Sequence, residues 1–331
     1  MDSENIKLNI VPIVENDLKK SGILRKISNF EVMDVGTGRQ SLALAMCGAK
    51  SINHFDISKE HVRRFRSLLS ERYASLPITT QYKDLCRPPY LTREQFDFVY
   101  LNGIVHHFSD TSVGLKNCAA AVKKHGRIWV YFYRSGTFKW FVCSMIRALT
   151  DAAEIDTLFC ASGLQFSEGD TANLTTSRIM DDFFAPYIHL YSPFDYIEFM
   201  DRLGFHVFAS NDIDPLSEVN HDLLHHSATL VFERIDSRDI ADIDTGAMLS
   251  PQAARDQLDD SIYDDDRPKK SIELFRNLQE RLERRNDSVI TYSLRLAMHR
   301  IAAGQYYGGA ELPPNYEALD RMLKAACEAL A

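Results

Sequence analysis

The chain has 331 residues, of which 45% are hydrophobic and 25% are charged, so it is long enough to bury a core and too apolar to be disordered throughout. Its net charge is −8, but ten aspartates and three arginines fall in residues 236–267, which leaves the remaining chain close to neutral. This balance predicts no broad cationic surface and argues against a protein that binds a nucleic-acid backbone.

The first predicted elements are a helix over residues 13–28 and a strand at 31–35. The strand enters the glycine turn D-V-G-T-G-R of residues 34–39, and a helical stretch comes directly after it. A strand, a glycine turn and a helix in this order lay a nucleotide-like ligand over the carboxyl end of a sheet. Gly36 permits the tight turn, and Gly38 is expected to let the backbone approach the ligand without a Cβ in the way.

Four further strands are predicted, with helices between them, near residues 51–56, 78–82, 96–102 and 127–133. Alternating strands and helices indicate a mostly parallel sheet. Asp56 ends the second strand, where a carboxylate can hold a ribose diol by two charge-assisted hydrogen bonds. Another acid, Asp84, follows the third strand, so acidic side chains recur along the same edge of the sheet.

The order of these motifs resembles the class I S-adenosylmethionine (SAM) dependent methyltransferases over about residues 30–235. The resemblance rests on Asp34 two residues before the first glycine and on Asp56 at the end of the second strand. It also rests on a fourth strand of F-D-x-V type that runs into His106 and His107. The resemblance implies an α/β, Rossmann-like fold: a seven-stranded, mostly parallel sheet with helices on both faces, a helical and aromatic insertion after strand 5, and an antiparallel last pair of strands.

The resemblance also implies that the cofactor is SAM and that its contacts lie along the carboxyl ends of the first four strands. The cofactor-binding residues expected in this way are Asp34, Gly36 and Gly38 for the methionine part, Asp56 and Ile57 after the second strand, Asp84 and Leu85 for the adenine edge, and Asn102 and Gly103 beside the sulfonium and the acceptor.

Five side chains near the ends of the fourth and fifth strands are candidates for a catalytic role, namely Asn102, His106, His107, Tyr131 and Tyr133. A histidine titrates near neutral pH and is a natural proton acceptor, although each of the two could equally cap a helix or fill the core. Strand alternation places both tyrosines on one side of the sheet, where an aromatic face can contact a sulfonium by a cation–π interaction. Both tyrosines could equally be packing aromatics.

Methyl transfer from SAM to a small-molecule acceptor is the main functional hypothesis. One alternative is intramolecular cyclisation of SAM, of the azetidine-2-carboxylate synthase type, which releases methylthioadenosine. A second alternative is an RNA methyltransferase, which would require clustered basic residues. A nicotinamide-binding Rossmann domain is a further possibility, because residues 36–41 lack only the last glycine of G-x-G-x-x-G. The last alternative is a non-catalytic partner subunit with the same fold.

The predicted domains are a SAM-binding domain at 1–235 with a substrate-covering insertion at 135–190, an acidic linker at 236–267 and a helical extension at 268–331. The extension has apolar stripes that cannot be buried alone, so these helices are expected to pack on the main domain or to form a homodimer with a second copy. No metal site is expected, because the six cysteines show no C-x-x-C spacing. The first residues lack a secretory signal and no stretch is apolar enough for a bilayer, so a cytoplasmic protein without a membrane partner is expected.

Overall fold

Seven strands form one sheet in the part of the chain that the computed structural model describes, which comprises residues 3–134, 187–211 and 227–236 and the single positions 240 and 243. The strands are β1 (Glu31–Val35), β2 (Ser51–Asp56), β3 (Ile78–Tyr82), β4 (Phe96–Asn102), β5 (Val122–Tyr133), β6 (Phe205–Asn211) and β7 (Ser227–Arg234). Their order across the sheet is β3-β2-β1-β4-β5-β7-β6. The first five strands pair parallel with one another, whereas β6 and β7 pair antiparallel.

Helices precede the first strand and connect most of the others. They are α1 (Ser3–Asn5), a π-helix (Ile6–Ile10), α2 (Val11–Lys20), a 3-10 helix (Leu24–Asn29), α3 (Arg39–Met46), α4 (Lys59–Arg72), a second 3-10 helix (Val105–His107), α5 (Thr111–Ala120) and α6 (Pro193–Arg202). In α4, Val62, Phe65 and Leu69 are buried along one face, as their spacing predicts. Across the described ranges, no helix combines the length and the apolar character needed to cross a membrane.

The predicted fold class is confirmed, because the sheet has seven strands, a parallel majority and an antiparallel last pair. Its order also differs from that of a dinucleotide-binding sheet, in which six strands follow 3-2-1-4-5-6. Here β7 lies between β5 and β6 and runs antiparallel to β6. The topology therefore favours the SAM-type sheet over the nicotinamide-binding alternative.

Two predicted elements differ from the observed ones. The single helix expected over residues 13–28 is wrong, because α2 ends at Lys20 and Gly22 follows with a φ of +65°, a conformation that stops a helix. The fifth strand begins at Val122, five residues before its expected start at residue 127. His125, at a φ of +63°, interrupts the pairing with β4 without ending the strand.

The chain divides into two compact units. Of the described residues, the first unit holds 3–132, 193–211, 228–236, 240 and 243, and the second holds 133–134, 187–192 and 227. The segment 135–186 of the predicted insertion and nearly all of the predicted linker and extension lie outside the described residues. The predicted domain boundaries and the homodimer therefore stay predictions.

Candidate functional site at the carboxyl edge of the sheet

The glycine turn between β1 and α3 uses its two glycines for different purposes. Gly36 has a φ of +121°, and a Cβ at this position would meet no atom within 4 Å. Gly38 has a φ of +78° and caps α3, but a Cβ there would lie 2.7 Å from the Phe65 ring. The missing side chain of Gly38 makes room for Phe65 of α4, and a contact of this residue with the cofactor stays a prediction. The open space lies beside Gly36.

A row of buried polar and aromatic side chains crosses the sheet just below this turn. Asp34 of β1 is in register with His54 of β2 on one side and with Tyr100 of β4 on the other. The row continues from His54 to Thr80 of β3 and from Tyr100 to Trp129 of β5. Residues in register on parallel strands project from the same face of the sheet. All five are buried, so their polar atoms need partners within the protein.

The Asp34 carboxylate occupies the middle of this row and is only 1% exposed. The Ser41 hydroxyl donates to its Oδ2 at 2.5 Å, whereas its Oδ1 has no hydrogen bond of ordinary geometry within the described part of the chain. Burial raises the pKa of Asp34, and the nearby His54 ring is the strongest influence in the opposite direction. The row therefore holds a desolvated carboxylate, whose ionised form a nearby cationic group would stabilise.

A chain of hydrogen bonds leads from the other side of the row to the end of β4. The Tyr100 hydroxyl donates to Asp17 Oδ2 of α2 at 2.7 Å, and Asn102 Nδ2 donates to the same hydroxyl at 3.2 Å. Burial raises the pKa of Asp17 and, together with the charge of Asp17, raises that of Tyr100. Because the amide nitrogen of Asn102 is held by Tyr100, its oxygen is directed away from Tyr100 as an acceptor.

Asp56 ends β2 with both carboxylate oxygens already engaged. Its Oδ1 accepts from the Ser58 backbone N–H at 2.6 Å, and its Oδ2 lies 3.2 Å from His61 Nδ1. Ser58 is the N-cap of α4, so the carboxylate is held at the start of a helix. A carboxylate has about four lone-pair positions, and these two contacts leave acceptor capacity for a further pair of donors.

A cleft opens beside Asp56 between the carboxyl ends of β1 to β4. Six of the residues that line it were named from the sequence, namely Gly36, Asp56, Ile57, Asp84, Leu85 and His107. Ile57 is exposed and Leu85 is buried, so the cleft has apolar surface as well as acids. Asp84 Oδ1 accepts from the Cys86 backbone N–H at 2.9 Å, which holds the loop after β3 in place. The carboxylates suit the hydroxyls of a diol, and the apolar surface suits a flat ring attached to it.

The five catalytic candidates are placed differently. His107 lines the cleft, whereas His106 is fully buried and packs its ring 4.3 Å from that of His107. Asn102 and Tyr131 are register partners at the ends of β4 and β5, and the Tyr131 ring lies 3.7 Å from the position of a Cβ on Gly103. Tyr133 belongs to the second unit. The catalytic roles of all five stay predictions.

Comparison with known families agrees with this geometry. The family model for a methyltransferase domain matches residues 33–130, which run from β1 to the middle of β5. This region is a class I SAM-dependent methyltransferase domain. No curated protein matches the chain.

Several solved structures are similar to this chain. One is magnesium protoporphyrin IX methyltransferase from Synechocystis with bound S-adenosylhomocysteine (SAH). It has 16% identity and a TM-score of 0.43, and the match covers 70% of this chain and 86% of that one. A SAM-dependent methyltransferase from Mesorhizobium loti has 15% identity and a TM-score of 0.44, covering 67% and 98%. A SAM-dependent methyltransferase from Aquifex aeolicus has 13% identity and a TM-score of 0.42, covering 70% and 94%.

SAM is the cofactor of this methyltransferase domain, and the residues present fit it. The open space beside Gly36 admits a ligand, and the buried charge of Asp34 beneath it suits the ammonium of its methionine part. Asp56 has the acceptor capacity for the ribose hydroxyls, and Leu85 provides apolar surface for the adenine. The fit supports the cofactor residues named from the sequence without testing each of them.

Several residues that shape the site were missed from the sequence. They are Asp17, Ser41, His54, Thr80 and Tyr100. Each lies inside a helix or strand with ordinary apolar spacing, so only its polar character among buried neighbours could have singled it out. His54 carried the best signal, because it shares the buried face of its strand with Ile52, where an apolar residue is expected.

Proposed function

We propose that this SAM-dependent methyltransferase acts on a small-molecule acceptor. The observation that carries the proposal is the neutral character of the groups at the ends of β4 and β5. Asn102, Gly103 and Tyr131 lie together there, each partly exposed and none charged. An amide and an aromatic ring suit a compact, partly apolar acceptor better than a phosphate backbone.

In methyl transfer, the protein contributes mainly by positioning the reactants. When bound, SAM supplies a methyl group that is already activated on a sulfonium, so alignment and exclusion of water matter most. Asn102 contributes a fixed amide oxygen, since its nitrogen is held by the Tyr100 hydroxyl. His107 lines the cleft and is the better placed of the two histidines to take a proton from an acceptor that arrives protonated.

The arginines of α4 give little support to the RNA alternative. Arg63 and Arg64 both bond to Glu60 on the same helix, at 2.7–2.8 Å. Arg66 donates to the Thr80 backbone carbonyl at 3.1 Å. These three cations are therefore engaged within the protein and form no row of free donors for phosphates.

The test is to supply the full chain with SAM radiolabelled in its methyl group and with a cell extract separated into small molecules, RNA and protein. Label is expected in the small-molecule fraction. Asn102→Ala should lower the transfer while SAH still binds with an affinity within a few-fold of the parent, and Asp56→Ala should lower the transfer through weaker binding of the cofactor. Label found only in RNA or protein would contradict the proposal.

Incubation with SAM alone addresses the cyclisation alternative. Methyl transfer predicts that SAM stays intact, or yields only traces of SAH, until an acceptor is added. Steady accumulation of methylthioadenosine would instead show that the chain consumes SAM intramolecularly, and it would replace the proposed reaction. The nucleoside product is identified by mass spectrometry.

A further inference from the structure

His54 connects the edge of the sheet to the glycine turn. Its Nε2 lies 2.6 Å from the Gly36 carbonyl oxygen, and its Nδ1 lies 2.8 Å from the Thr80 hydroxyl. A carbonyl oxygen can only accept, so Nε2 carries a proton and donates to Gly36. Nδ1 is paired with the Thr80 hydroxyl, so both ring nitrogens have partners although the side chain is only 1% exposed.

These contacts act on the part of the turn that borders the open space. The Gly36 N–H donates to the Phe55 carbonyl at 3.0 Å, so the peptide groups on both sides of Gly36 are held from β2. The Phe65 ring meets the edge of the His54 ring at a centroid distance of 4.8 Å and also fills the space below Gly38. His54 and Phe65 together form the floor of the turn.

We propose that His54 is a positioning residue that donates to the Gly36 carbonyl and thereby holds the glycine turn in the shape that receives the methionine part of SAM. The adenosine part is bound mainly by Asp56 and the residues after β3, which do not depend on this hydrogen bond. The inference uses the cofactor site alone and is independent of the acceptor. It predicts a selective effect on one half of the ligand.

Two amide substitutions separate the two nitrogen positions of the ring. His54→Gln can place an amide N–H near the position of Nε2 and keep the donor to Gly36. His54→Asn places its amide near Nδ1 and leaves the Gly36 carbonyl without its donor. Thr80→Val is the matched control, because it disturbs the same buried site but leaves the bond to Gly36 in place.

The experiment measures the affinity of each full-length variant for SAH and for methylthioadenosine, which lacks the amino acid part, together with its melting temperature. For His54→Asn, SAH affinity should fall ~10-fold while methylthioadenosine affinity changes less than ~2-fold. His54→Gln and Thr80→Val should keep the ratio of the two affinities within ~2-fold of the parent, whatever happens to the melting temperature.

The positioning role would be overturned if His54→Asn lowered the affinity for SAH and for methylthioadenosine by the same factor. It would also be overturned if the ratio of the two affinities changed as much in His54→Gln as in His54→Asn. If the parent chain binds neither ligand, the cofactor site itself is refuted, which is a separate result. A spectrum of the parent chain labelled with nitrogen-15 in histidine gives a test that needs no variant. The proposal requires a proton on Nε2 of His54, and a ring protonated only on Nδ1 would overturn it.

Discussion

Asp34 and Asp56 lie on neighbouring strands near the same edge of the sheet, yet their carboxylates are held in different ways. Asp56 is bonded to the Ser58 backbone N–H at the start of α4, and its Oδ2 contacts His61. Asp34 is buried in the row across the sheet, where the Ser41 hydroxyl donates to one of its oxygens. Asp56 is thus part of the local structure, whereas Asp34 carries a desolvation cost that a cationic ligand would offset.

The difference predicts that Asp56 matters to both the fold and the ligand. Asp56→Ala should weaken binding of SAH and methylthioadenosine alike by at least ~10-fold, because charge-assisted hydrogen bonds to the ribose are lost. Loss of the Ser58 contact should also lower the free energy of unfolding by about 1 kcal/mol. Calorimetry and denaturant unfolding measure the two effects. Unchanged affinity for both ligands would discard the ribose site assigned to this residue.

Asp34 is predicted to matter to the ligand alone. Asp34→Asn should weaken SAH binding by ~10-fold and leave methylthioadenosine binding nearly unchanged, because only SAH carries the ammonium. The melting temperature at neutral pH should stay level or rise, since the substitution removes a desolvated charge. If Asp34→Asn lowered the stability as much as Asp56→Ala does, the proposed difference between the two aspartates would be wrong.

The Tyr100 hydroxyl allows a test of the hydrogen bonds in the buried row that contains Asp34. Tyr100→Phe leaves Asp17 without its donor and Asn102 without its acceptor, so the free energy of unfolding should fall by about 1–3 kcal/mol. SAH affinity should fall only a few-fold, by release of the Asn102 amide. The double variant Asp17→Leu with Tyr100→Phe should regain part of the stability, because both buried polar partners are then absent. No recovery would mean that the two groups do not act as a pair.

The smallest predicted effect is a drift of affinity with pH. Because burial raises the pKa of Asp34, the folded chain takes up a proton at a higher pH than the unfolded chain does. Its contribution to stability is therefore present below the raised pKa and is lost above it. SAH binding has the opposite sign, since it needs the ionised carboxylate: it is full above the raised pKa and declines below it.

Titration calorimetry of SAH at several pH values checks this sign. The decline on acidification should begin above the usual range of an aspartate and should be absent in Asp34→Asn. A decline that is identical in the parent and in Asp34→Asn would assign the titration to another group.

The local motifs were sufficient to predict the fold and the cofactor. The glycine turn, the acid that ends β2 and the regular alternation of strands and helices are short-range patterns. The family resemblance that rests on them implied a seven-stranded sheet and a SAM site at its carboxyl edge. They work because a strand, a tight turn and a helix N-terminus depend on residues that are close in sequence. The ends of elements were less well predicted, as Gly22 and His125 show, because one residue with positive φ changes the backbone path.

What the sequence by itself determined is therefore the identity of the groups at the strand ends, including Asp34, Asp56 and Asn102. Only the tertiary structure decided what surrounds them. It showed that Gly38 faces Phe65, that His54 bonds to Gly36, and that Asp17 reaches Tyr100 from a helix 83 residues away in sequence. The physical reason is that hydrogen bonding and desolvation depend on neighbours across the sheet, and strand register, which no single segment encodes, brings those neighbours together.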